Sequence, residues 1–88
     1  MTPELQRVLW ACYQCWASSP VPPDQRMICY EWISGAYRDK FAADFHQSRL
    51  AALVKLGFLR PGHSVRGGAR RYYTIVDPPL VERHLRGQ

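Results

Sequence analysis

Ten of the twelve cationic side chains in this 88-residue chain are arginine, and they are unevenly spread. Arg60, Arg66, Arg70 and Arg71, with His63, crowd a short stretch interrupted by Pro61-Gly62 and Gly67-Gly68. A guanidinium is a planar, permanently charged fork of donors that fits phosphate oxygens and the O6/N7 edge of guanine. Such a cluster around a tight glycine turn points to a polyanion met by a projecting loop. From Arg38 to Arg71 there are eight cations against two carboxylates, whereas the rest of the chain has four cations against five carboxylates. The formal net charge of +5 therefore resides in one stretch. That is an electrostatic footprint for nucleic acid rather than a surface made evenly basic for solubility.

Other chemistries are less well supported. Cys12-Tyr-Gln-Cys15 has the spacing of a metal-ligand pair, and Cys29 and His46 would complete four ligands. Both cysteines nevertheless fall on the apolar stripe of a helix, where cysteine behaves as a small hydrophobe, and no second close pair follows. No metal and no cofactor are expected. Redox use of the pair would need a βαβ setting that the pattern lacks, and three cysteines suit free thiols in a reducing compartment better than a disulfide framework. Glu31, Asp39 and Asp44 form no spaced acid–base pair, and the three histidines have no evident serine or cysteine partner. Neither an enzyme nor a small-molecule substrate is expected.

Three helices and a hairpin must position the arginine cluster. Leu5, Val8, Leu9, Cys12, Cys15 and Trp16 recur at three- and four-residue spacing, which predicts an amphipathic helix from Pro3 to about Ala17. Thr2 would cap it, with Pro3 in its first turn and Glu4 favouring the positive end. Trp10 and Tyr13 fall off the stripe and are candidate partner-binding residues. After the break at Pro20-Val-Pro-Pro23, Asp24 is expected to cap a second helix reaching about Ala36 and burying Met27, Ile28, Trp32 and Ile33. Tyr37 to Phe41 reads as a polar connection. A third helix should start near Ala42 to Asp44, with Asp44 in the capping role, and close at Gly57 in a left-handed cap. Alternation puts Tyr73 and Ile75 on one face of a strand, with Arg70, Tyr72 and Thr74 on the other. Gly67-Gly68 suits the hairpin tip, and Leu80 to Arg86 a short final helix.

The run Leu50-Ala-Ala-Leu53-Val-Lys-Leu-Gly57-Phe58-Leu59, followed by a hairpin ending in Arg70-Arg71-Tyr72-Tyr73, resembles the winged helix-turn-helix superfamily. The resemblance spans residues 3 to 76, and its specific part is residues 46 to 75. It implies an α+β, mainly α fold: one domain of residues 1–88, a three-helix core with a β-hairpin wing, and a C-terminal extension from residue 77. It also implies binding of double-stranded DNA, as a small transcriptional regulator or a replication or recombination accessory factor. On a helical wheel Leu50, Leu53 and Val54 turn inward, whereas Asp44, Gln47, Ser48, Ala51 and Lys55 turn outward. Gln47 can bond adenine bidentately, Ser48 a base or phosphate, and Lys55 a phosphate, while Ala51 permits close approach. Arg66, Arg70 and Arg71 would lie along the backbone or enter the minor groove, and Arg38 and Lys40 would add contacts ahead of the helix. His46 stands where the family usually has an aliphatic core residue, and is expected to be a partly buried structural histidine. Arg49 should pack its stem and reach a phosphate or an acidic partner.

A different class of function fits the same pattern: a winged helix used as a protein-interaction module, for example a phage or mobile-element protein that binds a host complex. Trp10, Tyr13, Tyr37 and Tyr72, if exposed, would suit such an interface. A homodimer through the first helix or the segment from Leu80 to Leu85 is the related expectation. The N-terminal residues lack signal-peptide blocks, and no apolar run approaches the roughly 18 residues of a membrane span, so a cytoplasmic location is expected.

Overall fold

Thr2 is extended, and its hydroxyl accepts the Leu5 N–H at 3.2 Å, which starts helix α1 (Pro3–Ala17) as the sequence predicts. Along α1, Val8, Leu9, Ala11, Cys12 and Trp16 are buried. The computed structural model describes residues 1–62 and 71–87 of the chain. Among these, the architecture is mixed α/β and mainly helical, with four α-helices and a small three-stranded antiparallel sheet.

The second helix departs from expectation. Asp24 belongs to a single 3-10 turn, Pro23–Gln25, after which the chain extends into strand β1 (Ile28–Cys29). Helix α2 (Tyr30–Phe41) begins only then. Both strand side chains are almost fully buried, so tertiary pairing and burial outweigh the local preference for an earlier helix. With the start at Tyr30, Ile33 and Tyr37 form the inward stripe four residues apart. Trp32 falls beside that stripe and is 51% exposed instead of buried. Tyr37 is 3% exposed, not a surface aromatic, and the expected connection up to Phe41 completes the helix. Ala42 ends α2 in the left-handed region at φ 54°, its N–H donating to the Arg38 carbonyl.

This reversal delays helix α3 (Ser48–Lys55), because Phe45 first drops into the core. The Phe45 ring meets Tyr30 edge-on at 5.4 Å and Tyr37 at 5.0 Å. Asp44 therefore caps nothing. At the other end the expected glycine stop is present. Gly57 has φ +90°, its N–H donates to the Val54 carbonyl, and the Phe58 N–H donates to the Leu53 carbonyl. Those two bonds satisfy carbonyls that the helix end would otherwise leave open.

Strand β2 (Leu59–Pro61) and strand β3 (Tyr72–Ile75) pair antiparallel, Leu59 opposite Ile75 and Pro61 opposite Tyr73. Strand β1 adds on the other side of β3, Ile28 opposite Tyr73, giving the order β1-β3-β2. Tyr73 and Ile75 are buried, as their alternation predicts. The expected turn at Gly67-Gly68, with His63, Arg66 and Arg70, lies outside the described residues. Helix α4 (Pro78–Arg86) starts at Asp77, whose carboxylate accepts the Leu80 N–H at 3.3 Å. Val81 is fully buried and Gln6 Nε2 donates to the His84 carbonyl at 3.2 Å, so the segment after residue 76 belongs to the core and is no appendage. Each fully buried Leu9, Ile33, Leu50, Leu53 or Leu59 contributes about 1.5–3 kcal/mol by leaving water. Among the described residues no helix is long and apolar enough to cross a membrane.

Candidate functional site

Helix α3 buries Leu50 and Leu53 and leaves Gln47, Ser48, Ala51 and Lys55 exposed, the division its wheel predicts. The start of this helix is held differently from expectation. His46 is exposed, because Phe45 has taken the core position beside it. Its Nδ1 accepts the Ser48 N–H at 3.1 Å and lies 2.9 Å from the Ser48 hydroxyl oxygen. The imidazole thus does the work of a capping side chain, satisfying one of the N–H groups that a helix start leaves open. It also fixes where the Ser48 hydroxyl points.

Beside this turn lies a polar groove of about 590 Å³. Its walls come from three elements: Tyr30 and Glu31 at the start of α2, His46, Gln47, Ser48 and Ala51 at the start of α3, and Arg71 and Tyr73 from β3 and its approach. Arg71, distant in sequence, therefore meets the neighbouring predicted residues Gln47, Ser48 and Ala51 at one place. The groove offers an amide with both donor and acceptor, a hydroxyl, an imidazole and a guanidinium. Glu31 was not foreseen here, since it belonged to a helix expected to start elsewhere. Its carboxylate adds a negative charge and acceptor oxygens to the wall. The Tyr30 hydroxyl donates to the Phe45 carbonyl at 3.1 Å, which ties the α2 wall to the loop before α3.

The remaining predicted cations are elsewhere. Arg38 donates from Nε and Nη2 to Asp44 Oδ1, at 2.9 and 2.6 Å, and that hydrogen bond together with the carboxylate charge raises its pKa. Lys40 places its ammonium 5.7 Å from the centre of the Trp10 ring. Lys55 is exposed in the last turn of α3, away from the groove. Arg49 does reach an acidic group, but one in this chain: its Nε donates to Glu4 Oε1 at 2.7 Å.

The aromatic surface expected on α1 is largely occupied from within. Trp10 is half-buried and meets Phe41 edge-on at 5.6 Å. Tyr13 stacks on Trp16 at 6.1 Å and donates its hydroxyl to Glu82 of α4, a bond that raises the Tyr13 pKa, with burial adding to it. The same contact seats α4 on α1, so the expected dimer surfaces largely face each other, with Leu80 left 39% exposed. The pair that sequence reasoning missed is Trp32 and Tyr72, whose rings meet at 6.1 Å and 66° on the far side of β3. A helix start moved to Tyr30 would have found it; no local residue pattern signals that shift.

Burial pushes the Cys12 thiol far up, with Cys15 adding to it, and pushes Cys15 to about 11, with Cys29 adding. These thiols are protonated at neutral pH, and no cluster of three metal-ligating side chains occurs among the described residues. No protein-family model, curated protein or solved structure matches this chain.

Proposed function

We propose that this chain is a winged-helix protein that binds double-stranded DNA, acting as a small transcriptional regulator or as a replication or recombination accessory factor. The observation that carries the reading is the meeting of Gln47, Ser48, Ala51 and Arg71 around one polar groove at the start of α3. The element order, with a short strand between the first two helices and a sheet ordered β1-β3-β2, is compatible with a winged helix. An α-helix such as α3 is about 10–12 Å across with its side chains, which matches a major groove about 12 Å wide.

In this reading α3 enters the major groove with its outward face. Gln47 pairs with adenine through its amide, Ala51 lets the helix approach closely, and Arg71 neutralises a phosphate at the rim. Arg66 and Arg70 extend that contact along the backbone or minor groove. The Arg38–Asp44 pair lowers the charge available from the α2 end, so wing arginines supply most of the attraction. One such module reads few base pairs, and useful specificity then needs a dimer or a larger complex.

Selection from a random duplex pool at two salt concentrations tests the proposal. Retained duplexes should lose affinity steeply with salt, with a log–log slope near −0.9 for each phosphate contact. Changing Gln47, Ser48, Arg70 and Arg71 together to alanine should abolish retention while leaving the circular dichroism spectrum unchanged. Undetectable binding to every duplex at low salt would sink the idea. The protein-interaction reading has less support, because Trp10, Tyr13 and Tyr37 are engaged within the chain.

A further inference from the structure

On the side of β3 opposite the polar groove lies a second groove, of about 540 Å³, with different chemistry. Cys15, Pro20, Val21, Met27, Trp32 and Tyr72 form most of its wall. Ser18, Ser19 and Gln25 are its other polar groups, and among the described residues no charged side chain lines it. We infer that this groove is a binding site for a small, neutral, largely aromatic molecule.

Size and charge select that occupant. The volume falls in the roughly 300–1,000 Å³ range of small-molecule sites, and apolar walls with a few polar groups are their usual composition. Among the described residues the lining offers no cation to hold an anion, and the nearby Arg26 guanidinium is engaged by the Val21 carbonyl at 2.6 Å and the Trp16 ring at 4.6 Å. A protein partner or a second copy would need an apolar surface that continues outward, since a stable interface engages about 20–30 residues a side. Here the polar lining residues Ser18, Ser19 and Gln25 interrupt it, as does the Arg26 head, whose Nε donates to the Val21 carbonyl. The other large exposed hydrophobics, Leu56, Val76 and Leu80 among them, lie outside the groove.

The wall is also shaped in advance. Trp32 is 51% exposed, yet its ring is held edge-on by Tyr72, so an aromatic surface stands ready for a planar guest. Met27 is set against the backbone of Gly62, where even an added methyl group would lie 3.2 Å from its sulfur. The Ser19 hydroxyl oxygen accepts the Val21 N–H at 3.2 Å, and its own proton remains available to donate to a guest.

The test is a titration of the 15N-labelled full chain, followed by amide and indole resonances, with 2-naphthol as the neutral probe and naphthalene-2-sulfonate as its anionic counterpart. Saturable shifts of the Trp32 indole N–H and of the Ser19, Val21 and Tyr72 amides are expected with 2-naphthol. The sulfonate should bind at least about tenfold more weakly. Trp32→Ala and Val21→Arg alter exposed positions, so the dispersed spectrum of the fold should persist while the 2-naphthol affinity drops about tenfold or more. No saturation below about 5 mM would overturn the assignment, as would equal binding of the sulfonate or shifts confined to other residues. Sedimentation showing self-association that Trp32→Ala abolishes would overturn it too, by making a second copy the occupant. None of these readings involves DNA, so the site stands or falls independently of duplex binding.

Discussion

If α3 and its surroundings meet duplex DNA, Asp44→Asn should strengthen that binding, with an advantage that grows as salt is lowered. In the native chain the Arg38 guanidinium places two donors on one Asp44 oxygen, and both side chains are about two-thirds exposed, 64% and 65%. The neutral amide cannot hold Arg38 by charge, and one carboxylate leaves the basic face. A freed Arg38 that takes one phosphate steepens the log–log salt slope by about 0.9. Over a fourfold change in salt, from about 50 to 200 mM, that slope makes the advantage of the variant about 3.5 times larger at the low end. Anisotropy of a fluorescein-labelled duplex at five salt concentrations measures both slopes. Arg38→Ala in the Asp44→Asn background should return the slope to the native value. Because the ion pair is on the surface, the melting temperature should stay near the native one. Parallel salt lines for the native chain and the variant, or weaker binding by the variant, would refute the reasoning.

Two backbone positions give stability changes of opposite sign. Gly57→Ala should cost about 1–2 kcal/mol in urea unfolding, because an alanine at φ +90° is strained even though the space around it is open. Ala42→Gly should stabilise by about 0.5–1 kcal/mol, the relief at φ 54° exceeding the entropy added to the unfolded chain. Tyr13→Phe should cost about 1 kcal/mol near neutral pH by removing the bond to Glu82. Since folding raises the Tyr13 pKa, its contribution is complete below the ordinary tyrosine value near 10 and fades as pH rises above it; the variant should show less of that alkaline loss. Iodoacetamide at pH 8, followed by mass spectrometry, should label Cys15 slowly and Cys12 and Cys29 only on unfolding, because burial raises the Cys12 and Cys15 pKa values and encloses Cys12 and Cys29.

The parts of this structure that could be read in the sequence are those governed by neighbours in the chain. Thr2-Pro-Glu starts α1, Gly57 stops α3, and Tyr73 and Ile75 alternate, each through contacts within a few residues. What could not be read depends on distant partners. Ile28 and Cys29 carry no strand signal of their own and become β1 because Tyr73 and Tyr72 pair with them. That two-residue strand moves the start of α2, exposes Trp32, buries Tyr37 and brings Glu31 to the groove. The outward face of α3 was legible because its helical phase is set by Leu50 and Leu53. The capping by His46 and the Arg38–Asp44 pair were not, since both follow from Ala42 reversing the chain.

The seating of α4 on α1 brings the two ends of the chain together. Gln6 and His84, 78 residues apart in sequence, share a hydrogen bond, and so do Tyr13 and Glu82, 69 residues apart. Connecting the ends through a short flexible linker turns these long-range contacts into nearby ones. The chain can then be opened at the exposed Pro20–Val21 step, so that α1 follows α4 instead of leading. Such a permutant brings α1 next to α4 in sequence but carries it far from α2, the helix it packs against most, so its folding should be slower at similar stability.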